Sequence, residues 1–225
     1  MIRLFTGWDR RESVGWGVFA QSVIARCREP VSIIPLYGTQ GDGSNAFTYA
    51  RFRVADLCQH EGWAIFADGC DMLCLGDLAD LWALRDDRYA VQVVQQAYAT
   101  KENVKYRGTE MECPNVDYPC KNWSSLMLVN CGHPKALRVT PKTVFDLSLH
   151  QFAWLNERED IGPLPREWNW RCDEFGPNDA AKLLHWTRGI PAMAEYRTTP
   201  MAEVWFTEYL DSQRGLQREA LCQPA

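Results

Sequence analysis

Three aspartates punctuate the segment "WAIFADGCDMLCLGDL", Trp63 to Leu78. An apolar run, Trp63 to Ala67, delivers the chain into Asp68 and Asp71, and the chain turns apolar again before Asp77. Two carboxylates a few residues apart repel each other unless a cation lies between them. Hard oxygen ligands of this kind suit Mg²⁺ or Mn²⁺, usually with a nucleotide's phosphates completing the shell. The plainer alternative makes the aspartates turn residues and caps for a helix starting near Asp77, since turns are rich in Asp. In an open parallel sheet, however, ligands bind beyond the carboxyl ends of the strands, which is where this pair lies if Trp63 to Ala67 is a strand.

The elements around the pair support that placement. "IRLF" reads as a strand ended by Thr6-Gly7, and "RESVGWGVFAQSVIARC" as a helix with Val14, Val18, Val23 and Ile24 on its apolar side. "VSIIPLYG" is a second strand, followed by a polar loop from Thr39 to Asn45. "FTYARFRVADLCQHEG" predicts a helix ended by Gly62, and "WAIFA", which does not alternate, a strand buried on both faces. Strand alternating with helix implies an α/β fold with a mixed, mostly parallel sheet flanked by helices. Further on, "YAVQVVQQ", "SSLMLVN" and "KLLHWT" read as strands, and "LADLWAL" and "MAEVWFTEYLDSQRGLQREAL" as helices, the last amphipathic. "TPKTVFDLSLHQFAWLNE" predicts a helix or helix pair, with Thr140 as N-cap and Pro141 at its first position. The polar stretch from Ala97 to Lys121 is a long excursion of the kind that serves as a functional loop or lid.

No linker, repeat or low-complexity tract divides the 225 residues, so one domain is expected, with a nucleotide-binding part over 1–95 and an acceptor- and metal-completing part over 96–225. A chain that is 46% hydrophobic with net charge −5 can build a packed core and is poorly suited to nucleic acid. The N-terminal segment lacks the order of a signal peptide, and no apolar run approaches the roughly 18 residues of a membrane span, which predicts a soluble, cytoplasmic protein with no transmembrane segment. Nine scattered cysteines fit reduced thiols better than a disulfide framework. A zinc module of Cys113, Cys120, Cys131 and His133 is conceivable, but its spacing lacks the paired knuckle of structural zinc sites.

The order of "WAIFADGCDMLCLGDLADLW" resembles the metal-binding segment of nucleotide-sugar-dependent glycosyltransferases of GT-A fold, in particular the family 8 (lipopolysaccharide-type) enzymes. "IRLFTGWDRRESVGWGVFAQSV" looks like that family's opening strand and nucleotide-cradling turn, "SNAFTYARFRVADL" like its arginine-bearing segment, and "KNWSSLMLVNCGH" like its asparagine-bearing strand. "LHQFAWL", "LPREWNW" and "LLHWTRGIP" follow in the family's order, so the likeness covers patches of residues 1 to 191. It implies Asp68, Asp71 and His185 as ligands of Mn²⁺ or Mg²⁺, and Thr6, Gly7, Asp9, Arg51, Asp68 and Arg188 as contacts to the nucleotide-sugar. Gln151, Asn169 and Arg51 are the implied catalytic residues, with Gln151 below the anomeric carbon and Asn130 as another sugar contact.

Two departures matter. The family's usual Asp-x-Asp is one residue longer here, Asp68-Gly69-Cys70-Asp71, so that either a turn at Gly69 aims both carboxylates at one ion or Asp71 binds alone. "TRGIP" lacks the family's lysine, leaving Arg188 as its substitute although the two cations are not interchangeable. His150 also stands where an acidic residue is usual. The implied activity is transfer of a sugar, with retention, from a uridine-based nucleotide diphosphate donor to a glycan, a lipid-linked molecule or a small molecule. The alternatives are a binding protein of the same fold without catalysis, or a nucleotidyltransferase. Trp123, Trp168, Trp170 and Trp186 could stack on rings, but tryptophans more often fill the core.

Overall fold

The computed structural model describes residues 1–38, 45–144, 146–155 and 158–221; the loop expected over Thr39 to Asn45 lies outside them except for Asn45. In chain order the strands and α-helices are β1 (Ile2–Gly7), α1 (Ser13–Arg26), β2 (Val31–Leu36), α2 (Val54–Leu57), β3 (Trp63–Ala67), β4 (Met72–Cys74), α3 (Leu78–Ala83), β5 (Val91–Val93), β6 (Val104–Lys105), β7 (Cys113–Pro114), β8 (Leu126–Asn130), β9 (Ile161–Pro163), β10 (Trp170–Arg171), α4 (Cys172–Phe175), β11 (Leu183–His185) and α5 (Ala202–Leu221). The main sheet has the order β2-β1-β3-β8-β5-β9. Five of its strands are parallel, and β8 runs against both its neighbours, β3 and β5. The sheet is therefore mixed and mostly parallel, as the alternation of elements predicts.

The non-alternating strands are buried on both faces. Adjacent residues of β3 point to opposite sides: Phe66 packs with Phe5, Val91, Met127 and Phe152, and Ile65 with Leu4, Phe19, Leu128 and Trp168. Each such side chain contributes about 2 kcal/mol of burial. A smaller sheet, β10-β11-β4, lies at the end of the main sheet where β3 delivers Asp68, with β11 antiparallel to β4 and His185 opposite Met72. Among the described residues, no helix is long and apolar enough to cross a membrane.

Three elements differ from the sequence reading. The helix expected from Phe47 is a 3₁₀ turn, Ala50–Arg53, followed by the single turn of α2, which ends where Gln59 and His60 take positive φ. Arg51 is drawn inward instead of lying on an exposed helix face, donating to the carbonyls of Thr48 (3.0 Å) and Ser124 (3.2 Å). The helix expected after Thr140 is a turn and a short 3₁₀ segment, Leu147–Gln151, among the described residues. There Thr143 and Asp146 bond nearby backbone amides, the competition that keeps such residues out of helix interiors, and Phe152 ends the segment at φ 60°. In α1, Val14 and Ile24 are 50% and 62% exposed; the inner face is Gly15, Val18, Phe19, Ser22 and Val23.

Candidate active site

The cluster is built at the end of β3. Asp68 N–H donates to the carbonyl of Ser125 at 2.9 Å, extending the β3–β8 pairing beyond the strand. Gly69 then takes φ +76°, a left-handed conformation that glycine adopts freely. Cys70 N–H donates to Asp68 O (2.8 Å) and Met72 N–H to Gly69 O (3.2 Å), closing a turn that leads into β4. The additional residue relative to Asp-x-Asp is absorbed in this turn. Helix α1 closes over it at Gly15, where a Cβ would stand 2.0 Å from the Cys70 carbonyl oxygen.

Strand β11 brings in the histidine. Trp186 N–H donates to Asp71 O at 2.9 Å, and His185 Nε2 lies 3.3 Å from Asp71 Oδ2. One candidate ligand atom each from Asp68, Asp71 and His185 lies within 4.8 Å of the others, and all three residues are buried. Asp77 serves separately as the N-cap of α3, accepting from Ala79 N–H at 2.8 Å. The tautomer of His185 follows from its neighbour. Asn169 Nδ2 donates to Asn122 O (3.1 Å) and Ser125 Oγ (2.8 Å), leaving its Oδ1 to accept from His185 Nδ1 at 2.9 Å. Nε2 then carries the lone pair, on the side of Asp71.

The electrostatics leave the cluster short of positive charge. Arg51 lies 2.8 Å from Asp68 Oδ1. Burial nevertheless pushes Asp68 up to about 7, with Arg51 opposing and Asp71 adding to the shift. Asp71 Oδ1 is buried without a hydrogen-bond partner among the described residues. Behind them Glu12, 1% exposed, has both carboxylate oxygens without a hydrogen-bond partner among the described residues, and burial followed by the charges of Asp71 and Asp9 pushes it well above the ordinary carboxylate range. Two carboxylates, one with an oxygen unpartnered among the described residues, and an imidazole fit a hard divalent ion.

This cluster opens on a cavity of about 350 Å³. Its walls carry Asn45 and Thr48 ahead of α2, Lys105, Tyr106 and Tyr118 from the excursion, Asn122 and Ser124 ahead of β8, and His150 and Gln151. His150 Nδ1 is 3.0 Å from Ser124 Oγ, while Nε2 has no partner among the described residues. Burial, then the charge of Arg51, depresses His150 to about 3, so its ring is neutral near pH 7.

Of the sequence-derived candidates, Asp68, Asp71, His185, Arg51 and Gln151 meet at the cavity. Asn169 is fully buried behind His185 and its side chain is spent on protein partners. Thr6, Gly7 and Asp9 are not in the described lining. Thr6 Oγ1 accepts from Trp16 Nε1 (2.9 Å), a Cβ at Gly7 would overlap the Phe47 ring at 2.2 Å, and Asp9 caps the following turn and binds Arg11 and Ala46. Arg188 turns to Asp173 instead, its Nη2 donating to Asp173 O at 2.9 Å. Asn130 lies at the opposite end of the sheet because β8 runs antiparallel, with Asn130 beside Trp63 and Leu126 beside Ala67. Trp168 and Trp186 are core residues, and Trp123 and Trp170 are half-buried outside the described cavity lining. The zinc candidates do not assemble: Cys131 is in the core while His133 Nδ1 caps a turn through Lys135 N–H at 3.3 Å. Lys105, Tyr106 and Tyr118 were missed as individuals; the only signal for them was the length and polarity of the excursion.

No family model matches the chain. The fold is that of solved glycosyltransferases: GlyE of Streptococcus pneumoniae TIGR4 superposes with TM-score 0.64 at 13% identity over 99% of this chain and 64% of that one. The galactosyltransferase LgtC, solved with donor and acceptor sugar analogs, gives TM-score 0.61 at 13% identity over 95% and 99% of the two chains. The bifunctional glycosyltransferase WbbM gives 0.55 at 15% identity over 92% and 51%. The chain thus spans about half of WbbM and just under two thirds of GlyE, and nearly the whole of LgtC. Protein CDI of Arabidopsis thaliana is 35% identical over an alignment 239 positions long, which covers 97% of this chain and 90% of the plant protein. The chain belongs to the family of Protein CDI and folds as a GT-A-type glycosyltransferase.

Proposed function

We propose that the protein is a metal-dependent glycosyltransferase that takes a sugar from a nucleotide diphosphate donor, uridine-based, and passes it to an acceptor with retention of configuration. The observation that carries this reading is the buried Asp68–Asp71–His185 cluster, with its orphaned Asp71 oxygen, at the wall of a cavity beyond the end of β3.

Breaking the bond between sugar and diphosphate places positive charge on the anomeric carbon and negative charge on the leaving group. A bound Mn²⁺ or Mg²⁺ would be held by Asp68, Asp71 and His185 and would supply Lewis-acid stabilisation of the diphosphate. Arg51, fixed by Thr48, Ser124 and Asp68, adds a positioned cation at the same wall. Gln151, exposed on the cavity, offers an amide oxygen to the developing positive charge; an amide is a poor nucleophile, which favours departure and attack on one face. His150, neutral and with Nε2 unpartnered, can bond a sugar hydroxyl where a carboxylate would stand in the resembled family.

The test is hydrolysis and transfer with a panel of UDP-sugars and Mn²⁺. Release of UDP from one donor, abolished by chelation, supports the enzyme. UDP binding with no turnover of any donor favours a binding protein of the same fold.

A further inference from the structure

We propose that Lys105, on the short strand β6, supplies the cationic contact to the donor's diphosphate, and that Arg188 serves to dock the segment that carries it. The inference rests on the function proposed above and concerns the same cavity.

The loop after His185 delivers no cation there. Arg188 N–H donates to Asp173 Oδ2 at 2.8 Å, its Nη2 donates to Asp173 O at 2.9 Å, and its Nε lies 3.5 Å from Asp173 Oδ2. Asp173 is buried on α4, and the arginine side chain faces a second cavity, beside Glu102, Arg107 and Tyr196. The Arg188 carbonyl accepts from Tyr106 N–H at 2.6 Å, and Tyr196 Oη accepts from Arg107 N–H at 2.8 Å. These two bonds fasten the residues after Lys105 to the late loop, and the antiparallel pairing of Lys105 with Cys113 fixes the strand on its other side.

Held in this way, Lys105 lines the same cavity as Asp68, Asp71 and His185. Among the described lining residues the permanent cations are Arg51, beside Asp68, and Lys105, whose ammonium lies 5.3 Å from the centroid of the Tyr106 ring. A divalent ion balances Asp68 and Asp71. A diphosphate brings about two more negative charges at neutral pH, more than the single charge of Arg51 offsets. The ammonium of Lys105 meets that excess as a compact charge on a flexible stem.

The experiment is calorimetric titration of UDP with Mn²⁺ into the wild type and into Lys105→Met, Lys105→Arg and Arg188→Met, with the unfolding temperature of each ligand-free protein measured alongside. Lys105→Met is expected to weaken UDP by about tenfold to a hundredfold. Lys105→Arg should keep affinity within about fivefold because its charge persists, and Arg188→Met should lose less than Lys105→Met. Equal UDP affinity in the wild type and Lys105→Met, a Lys105→Arg variant as weak as Lys105→Met, or a larger loss in Arg188→Met would overturn the role of Lys105 while leaving the transferase reading intact. A wild type that binds no nucleoside diphosphate with any divalent ion would overturn both.

Discussion

The cavity has two kinds of wall. One, made by β3, the Gly69 turn, β4 and β11, is buried, its backbone fixed by main-chain bonds and the His185 ring by Asn169. The other, made by Lys105 and Tyr118 of the excursion, hangs on a two-residue ribbon and a few bonds to the late loop, while the Tyr106 ring beside them is buried. The first has the preorganised geometry that metal chemistry requires; the second is built of larger side chains that can recognise a ligand arriving from solvent. The two walls should therefore respond differently to mutation: the deep one by losing the site altogether, the outer one by losing affinity in steps.

The largest effect is expected at the deep wall. Asp71→Asn should lower Mn²⁺-dependent donor turnover by more than about a hundredfold while leaving the unfolding temperature unchanged or raised, because it relieves repulsion in the metal-free cluster. A large stability loss without metal would show that Asp71 is a structural residue. Asn169→Leu should cost about 10–100-fold in metal affinity by freeing the tautomer and orientation of His185, measured by Mn²⁺ titration. A change confined to turnover would return Asn169 to direct sugar contact.

Packing beneath this wall is the next test. Gly15→Ala places a methyl 2.0 Å from the Cys70 carbonyl oxygen, against backbone that cannot yield easily, and should cost about 1–3 kcal/mol in denaturant unfolding with a parallel loss of metal binding. Gln151 belongs to neither wall: Gln151→Ala should slow turnover with UDP affinity within about twofold, because the amide is assigned to the sugar and not to the nucleotide.

His150 sharpens the contrast by its titration. Its pKa is about 3 in the fold against 6.5 for the ordinary group. A depressed value means that the neutral ring contributes stability that is complete above pH 6.5 and is lost as pH falls towards 3, because the unfolded chain takes up the proton first. Between pH 7 and pH 5 the wild type should lose about 2 kcal/mol that His150→Gln does not, read from unfolding curves at both pH values. Equal losses would contradict the burial assigned to this ring.

The same contrast explains what the sequence made legible. Asp68, Asp71 and the strand before them are contiguous, and an apolar run ending in carboxylates constrains both fold and chemistry. His185 could be added because β11 is a short apolar run ending in a histidine, and its order along the chain matched the resemblance. Asn130 failed for a physical reason: strand character does not encode strand direction, and the reversal of β8 carries its end away from the site while bringing Asn122 and Ser124 to it. Thr6 and Asp9 stand at the expected strand end, yet their side chains are taken by Trp16, Arg11 and Ala46, a competition that no local pattern announces. Lys105 lines the cavity where Arg188 was expected because tertiary docking, through Asp173 and the Arg188 carbonyl, turns Arg188 away. The helix expected after Thr140 was lost to side chains that bond their own backbone.

The decisive measurement is calorimetric titration of UDP into the wild-type protein with and without Mn²⁺, repeated with Asp71→Ala and His185→Ala. UDP binding that requires Mn²⁺ and disappears in both variants is the expected result, since it places the end of β3 and the end of β11 on one ion. UDP binding that is indifferent to Mn²⁺ and to both substitutions would contradict a metal–nucleotide site at this cluster.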